Sequence, residues 1–154
     1  MIDPPEIIQT VAQPTAIIPL KIPKDQIQHV MGPGLRELMS TIAAQAITPT
    51  GSWFTHHLKI SPDQWDFEIG VPVIRTVIAA GRVKPSQWPA MKVARTIYHG
   101  GYTGLGAAWG EFGGWLEANN HEAGKDLWEF YPAGPDSGSD PTQWRTELNR
   151  PLVR

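Results

Sequence analysis

The stretch Met91-Lys92-Val93-Ala94-Arg95-Thr96-Ile97-Tyr98-His99-Gly100-Gly101-Tyr102-Thr103-Gly104-Leu105 decides the architecture, because one kind of element hands over to another within it. Met91 to His99, entered at Pro89, reads as a strand. Gly100-Gly101-Tyr102 turns the chain, and Thr103 stands where a helix N-cap belongs. From there Leu105, Ala108, Trp109, Phe112, Trp115 and Leu116 recur at helical spacing, ending near Asn119-Asn120.

Downstream, Asp126 to Ala133 and Gln143 to Leu148 read as two more strands. The Gly/Ser/Asp/Pro run from Gly134 to Pro141 between them is expected to be a mobile loop. Upstream the same succession is visible. Ile7 to Leu20 is a strand broken near Pro14, and Pro19 and Pro23 are expected to close it, since proline donates nothing to a ladder. Pro33, after Gly32, suits the first turn of a helix. Leu35, Leu38, Met39, Ile42, Ala43 and Ala46 give that helix one apolar stripe, which Thr48-Pro49-Thr50-Gly51 stops. Ser52 to Ile60 and Gln64 to Val73 form a hairpin across Ser61-Pro62-Asp63. Ile74 to Trp88, with Gly81 and Pro85 and no clear period, reads as a crossover.

The expectation is an α+β fold of two β-α-β-β modules. It forms a single domain over 1–154, with half-repeats at about 7–73 and 89–152 and a crossover at 74–88. Phe67-Glu68-Ile69-Gly70-Val71 is laid on Trp128-Glu129-Phe130-Tyr131-Pro132. Alternation then turns Phe67, Ile69, Trp128 and Phe130 toward the helices, and Glu68 and Glu129 toward the opposite face, at a groove between the halves.

The totals exclude several functions. With 41% hydrophobic and 18% charged residues in 154, the chain has the composition of a globular protein. A net charge of −2 without a basic, aromatic-interleaved run argues against nucleic acid. Cysteine is absent, which removes disulfides, thiolate zinc sites and cysteine nucleophiles. Met1 to Glu6 carries no secretory signature, and no apolar run is long enough for a bilayer, so a cytoplasmic location follows by elimination. Seven tryptophans point either to a Trp-rich core or to an aromatic-lined pocket, and composition leaves both open.

Glu129 is the leading candidate residue. Glutamate is depleted in strands, and this one is flanked by Leu127, Trp128, Phe130 and Tyr131. A carboxylate in that company is paired, protonated or awaiting a ligand, unless it is a plain exposed strand residue or an acceptor for backbone amides. Burial without a partner would raise its pKa, and a cation would reverse that. Aromatic faces nearby would add about 0.5–2 kcal/mol each for a well-placed cation. Tyr131 shares its face by alternation, with Tyr98 and Trp109 as further candidates. Glu68 has more polar company in Asp66 and Gly70, so a solvated strand face serves equally well. Trp53 suits a lid or wall, whereas Phe112, Trp115 and Trp128 suit a core.

Other signals carry no chemistry. His56 and His57 face opposite ways in a strand, and His99 and His121 lack partners at ligand spacing, so neither metal nor cofactor is expected. Gly104-Leu105-Gly106 lacks the third glycine of a dinucleotide fingerprint, and Trp109 stands in its place. Glycines 104, 106, 110, 113 and 114 cost a helix roughly 1 kcal/mol each, which close helix-to-sheet approach or room for a ligand would explain. There is no P-loop, no H-E-x-x-H and no G-x-S-x-G.

An ordered set of short motifs carries a family resemblance. Pro89-Ala90, Tyr98-His99-Gly100-Gly101-Tyr102, Trp109, Trp115-Leu116, Glu129-Phe130-Tyr131-Pro132 and Thr146-Glu147-Leu148-Asn149-Arg150-Pro151-Leu152 resemble the second half of GyrI-like effector-binding domains. Ile47-Thr48-Pro49-Thr50-Gly51 and Phe67-Glu68-Ile69-Gly70-Val71-Pro72-Val73 resemble the first half more loosely. The resemblance covers nearly the whole chain. It implies two modules related by a pseudo-twofold axis, with a hydrophobic, often cationic, ligand between them and Glu129 as the acidic residue of the pocket. Many members carry a helix-turn-helix region, for which this chain leaves no room. The resemblance also implies two alternatives. One is a hydrolase opening cyclopropane-containing genotoxins, with Glu129 as general base and a Tyr or Trp donor on the oxyanion. The other is a gyrase-inhibitor-like module whose partner is a protein, gyrase or a regulator. Haem, known for a distantly similar architecture, would need an axial His, and none is convincingly placed.

Overall fold

The strand-like and helical stretches become eight strands and two helices among residues 2–23, 26–60, 64–134 and 138–153, which a computed structural model describes. In chain order these are β1 (Glu6–Gln9), β2 (Gln13–Pro23), α1 (Ile27–Ala44), β3 (Phe54–Ile60) and β4 (Gln64–Pro72). Then follow β5 (Lys84–Trp88), β6 (Lys92–His99), α2 (Leu105–Ala118), β7 (Leu127–Ala133) and β8 (Arg145–Pro151). Short 3-10 turns occupy Tyr102–Gly104 and Pro141–Gln143.

Two compact units result, Val11–Ala90 (the first module) and Met1–Thr10 with Met91–Arg154 (the second). The first module is an antiparallel sheet in the order β3-β4-β2-β5. The second runs β7-β8-β6-β1, also antiparallel. Each contains β-α-β-β, plus one outer strand beside the first β of that unit. The α+β class and the doubled motif expected from sequence are both present.

The apolar stripes explain why each helix lies on its sheet. In the first module Leu38 and Ile42 of α1 pack with Ile18, Leu20, Phe67 and Ile69, all of them buried. Fully burying a side chain of this size stabilises a fold by about 1.5–3 kcal/mol, so an Ile42→Ala change costs several of them. In the second module Ala108, Phe112 and Leu116 of α2 pack with Ala94, Tyr98 and Leu148.

Several local expectations change. The strand expected over 7–20 is two strands, and β1 joins the second module while β2 opens the first. The break falls at Thr10 to Ala12 rather than Pro14, held by Thr10, whose amide donates to the Met91 carbonyl and whose hydroxyl accepts from the Met91 amide (2.8 and 2.9 Å). Pro19 does not end β2, because β5 pairs only as far as Ile17 and beyond it β2 has β4 alone beside it. Pro33 lies inside α1, which starts at Ile27. The crossover holds β5, an edge strand of its module, where Pro85 is tolerated for the same reason. Thr103 is not a cap: it lies within the 3-10 turn, and α2 begins after Gly104 with no side-chain cap bond. The hairpin joint 61–63 and residues 135–137 of the loop expected to be mobile lie outside the described residues.

The laying of β4 on β7 is corrected as well. β4 is the last hairpin strand of its module and pairs with β2, whereas β7 is the first hairpin strand of the other. The topological counterpart of β4 is β8. Similar letters around Glu68 and Glu129 outweighed connectivity in that alignment.

Candidate functional site

Residues of β7 alternate in direction, and the contact made by α2 decides which set faces the helix. Trp109 of α2 donates its indole N–H to Glu129 Oε2 at 2.6 Å. Glu129 therefore faces α2, and Trp128 and Phe130, whose rings stack with centroids 6.5 Å apart, take the other face. This reverses the expected orientation. Both faces of β7 carry aromatics, so apolarity alone identified two faces without saying which one meets the helix.

Tyr131, two residues on, donates its hydroxyl to Glu129 Oε1 at 2.7 Å. Each carboxylate oxygen thus accepts one short bond from an aromatic donor, and each keeps capacity for another. The residue is only 8% exposed. Burial pushes the Glu129 carboxyl up from its ordinary range, while the Trp109 and Tyr131 bonds pull it back in part. Past Phe130 the β7–β8 register shifts, next to Pro132, which has no N–H to give the ladder. Tyr131 sits at that irregularity.

Aromatic contacts continue from both donors to the carboxylate. Trp109 stacks on Phe112 at 5.8 Å, and Phe112 is wholly buried. Tyr131 meets Tyr102 edge to face at 6.0 Å, and Tyr102 in turn lies 5.2 Å from Trp144. Sequence reasoning treated Tyr102 as a turn residue and did not single out Trp144. The excess of tryptophan was the one signal that pointed toward such a cluster.

The other candidates make contacts of their own. Tyr98 is buried in the core of the second module, and its hydroxyl donates to the Gly101 carbonyl at 2.9 Å. A Cβ at Gly104 would collide with that hydroxyl, so this glycine is required by close approach. Glycines 106, 110, 113 and 114 have nothing within 4 Å of where a Cβ would stand, so close approach does not explain them. Trp53 packs, partly buried, against the core of the first module. Glu68, also in the first module, lies 3.1 Å from His56 Nδ1. Among the described residues no group of three or more His, Asp or Glu side chains is arranged to hold a metal ion. His99 contacts Asp3 at 2.7 Å, and His121 stacks on Trp115. No helix among the described residues is long and apolar enough to cross a membrane.

Strand register identifies what the first module holds at the place of the carboxylate. Leu148 of β8 lies between Glu129 and Thr96, and Ile69 of β4 lies between Thr55 and Ile18. Leu148 and Ile69 are both wholly buried. Thr55 thus corresponds to Glu129, and His57 to Tyr131. The ring of His57 contacts Thr55 Oγ1 at 3.1 Å and packs on Trp65 and Phe67 (5.0 and 5.4 Å). Burial, and next the neighbouring His56, hold the His57 imidazole down at about 4. On the helix, Leu35 stands three residues before Leu38 as Trp109 stands before Phe112.

Solved structures share this architecture. The C-terminal domain of EcmrR is 19% identical, with a TM-score of 0.86 over 98% of this chain and 98% of that one. In an EcmrR–DNA complex the figures are 20% and 0.85 over 97% of this chain, which spans 57% of that longer chain. A hydrolase from Listeria innocua is 11% identical, with a TM-score of 0.71 over 97% of this chain and 91% of that one. SAV2435 bound to tetraphenylphosphonium is 12% identical, with a TM-score of 0.65 over 97% and 94%. At these identities the likeness is one of fold. No curated protein matches the chain. The family model for a GyrI-like small molecule binding domain matches residues 4–152, nearly the whole chain, and to that family the chain belongs.

Proposed function

We propose that the chain binds a hydrophobic, cationic aromatic small molecule, in sensing or sequestration, with Glu129 as the charge complement and Trp109 and Tyr131 beside it. One observation carries this reading: a buried glutamate, 8% exposed as a residue, whose two carboxylate oxygens accept from aromatic donors. Burial disfavours the charged form, so a cation arriving there gains more than it would from an exposed carboxylate. A ligand of this class is named for one relative of the same fold, SAV2435 with tetraphenylphosphonium. Trp53 as a further wall, and Tyr98 and Glu68 as weaker candidates, remain part of the proposal. Each makes the separate contacts described above.

The test is calorimetric titration at pH 8 with N-methylacridinium and with acridine, its neutral analogue at that pH, on wild type and Glu129→Gln. The cation binds wild type more tightly, and the variant loses roughly 10–100-fold for the cation and little for acridine. If wild type binds neither compound, the reading fails and a protein partner takes its place.

A hydrolase reading draws on the same residues and on the Listeria relative named as a hydrolase. Water would add to a ring carbon of a cyclopropane conjugated to a carbonyl as a ring C–C bond breaks and its electron pair passes to the carbonyl oxygen. Glu129 would take the water's proton, and Tyr131 or Trp109, its bond to Glu129 released, would donate to the developing oxyanion. Ring-opened product from such a compound, absent with Glu129→Gln, would favour this over binding alone.

A further inference from the structure

Both donors to Glu129 are half-buried, and the aromatic contacts that continue from them differ in depth. The Trp109 path ends in wholly buried Phe112. The Tyr131 path continues through Tyr102, which is 36% exposed, to half-buried Trp144. From this we infer that Tyr102, with Trp144 behind it, is a second subsite that takes the far ring of an extended aromatic ligand whose charge sits at Glu129. The inference rests on the carboxylate reading proposed above and adds a determinant of ligand size to it.

The geometry suits that task. The rings of Tyr131 and Tyr102 stand at 74° to one another, making a corner in which a flat ring lies on one face and meets the edge of the other. Tyr102 and Trp144 are tilted by 42°, which continues the wall. The corner is held before any ligand arrives. The Trp144 indole donates to the Gly138 carbonyl at 3.0 Å, and its backbone is tied to Gly100 and Pro141 (3.2 and 3.1 Å). The hydroxyl end of Tyr102 lies so close to Gly134 that a Cβ there would collide with it. A ring already fixed in place loses little side-chain entropy on binding, so stacking on it is realised nearly in full. A compact cation satisfied at Glu129 and Tyr131 would not extend to Tyr102. A cation with fused rings would.

The experiment compares benzyltrimethylammonium, with one ring, and N-methylacridinium, with three, by calorimetry on wild type, Tyr102→Ala, Tyr102→Leu and Glu129→Gln. Tyr102→Ala is expected to weaken N-methylacridinium about tenfold and benzyltrimethylammonium less than twofold, and Glu129→Gln to weaken both. Tyr102→Leu keeps apolar bulk without a π face, so it tests the same selectivity if the alanine variant folds poorly. Should the Tyr102 variants affect both ligands equally, or neither, while Glu129→Gln weakens both, the subsite is overturned and the carboxylate reading stands. Should Glu129→Gln weaken neither ligand, the carboxylate reading falls and the subsite falls with it.

Discussion

The two modules have one connectivity and one sheet order, yet the same position holds a carboxylate in one and a hydroxyl in the other. Glu129, Tyr131 and Trp109 of the second module correspond to Thr55, His57 and Leu35 of the first. In both, the second member of the strand pair reaches back to the first, as Tyr131 O–H to Glu129 and as His57 to Thr55. The first module closes this arrangement in neutral packing against Trp65 and Phe67. The second leaves a carboxylate whose charge burial penalises. One fold thus tolerates an interior polar pair in both copies, and under the proposed function the copy with the carboxylate is the one that rewards a positive ligand.

The sharpest way to break this comparison is through pH. The folded-state pKa of His57 is lowered to about 4, so its stabilising contribution is complete above the unfolded value of 6.5 and is lost as pH falls toward 4. Wild type is therefore expected to lose roughly 3 kcal/mol across that window, and His57→Phe to lose much less. Chemical denaturation at pH 7, 5.5 and 4 measures it; equal slopes for both proteins would remove the distinction.

Glu129 has the opposite sign. Its folded pKa is raised, so the protonated form favours folding below the unfolded value of 4.5, and stability is lost as pH rises through the folded one. Glu129→Gln removes that loss and is expected to melt a few degrees above wild type at pH 8, with little difference at pH 4. Thermal melts at the two values decide it. A variant melting lower at pH 8 would mean that the carboxylate stabilises the free protein. By the same sign, cation affinity rises with pH through the titration of Glu129, which calorimetry across pH 5–8 follows.

The smallest effect separates the helices. A Cβ at Gly34 of α1 would stand 2.8 Å from Ile69 Cδ1, whereas at Gly110 of α2 it would meet nothing within 4 Å. Gly110→Ala is expected to stabilise by about 0.8–1 kcal/mol, and Gly34→Ala to gain nothing because the clash offsets the helix propensity. Denaturation midpoints give the comparison directly.

Much of the fold was legible because α1, α2 and the hairpin strands carry strong periodic signals. β5 was not legible: it is short, contains Pro85 and has only one strand beside it. The split of β1 from β2 was hidden because pairing with β6, a partner distant in sequence, decides where the chain breaks. Glu129 stood out as a charge among aromatics, and Tyr131 followed from period two. The link from Trp109 to Glu129 depended on which face of β7 meets α2, which alternation leaves open. Trp144 follows a 3-10 turn, a setting without a period to read.

The separation of β1 from its neighbour also orders assembly in time. Every strand of the first module lies between Gln13 and Trp88, so that unit has all its partners while the rest of the chain is still being synthesised. β1 emerges before any of them and waits roughly eighty residues for β6, the kind of long-range pairing that slows folding. During translation the first module is expected to close first, and the second to close only when β8 arrives. The early unpaired strand carries Glu6 and Gln9 at its ends, which discourages association with other growing chains while it waits.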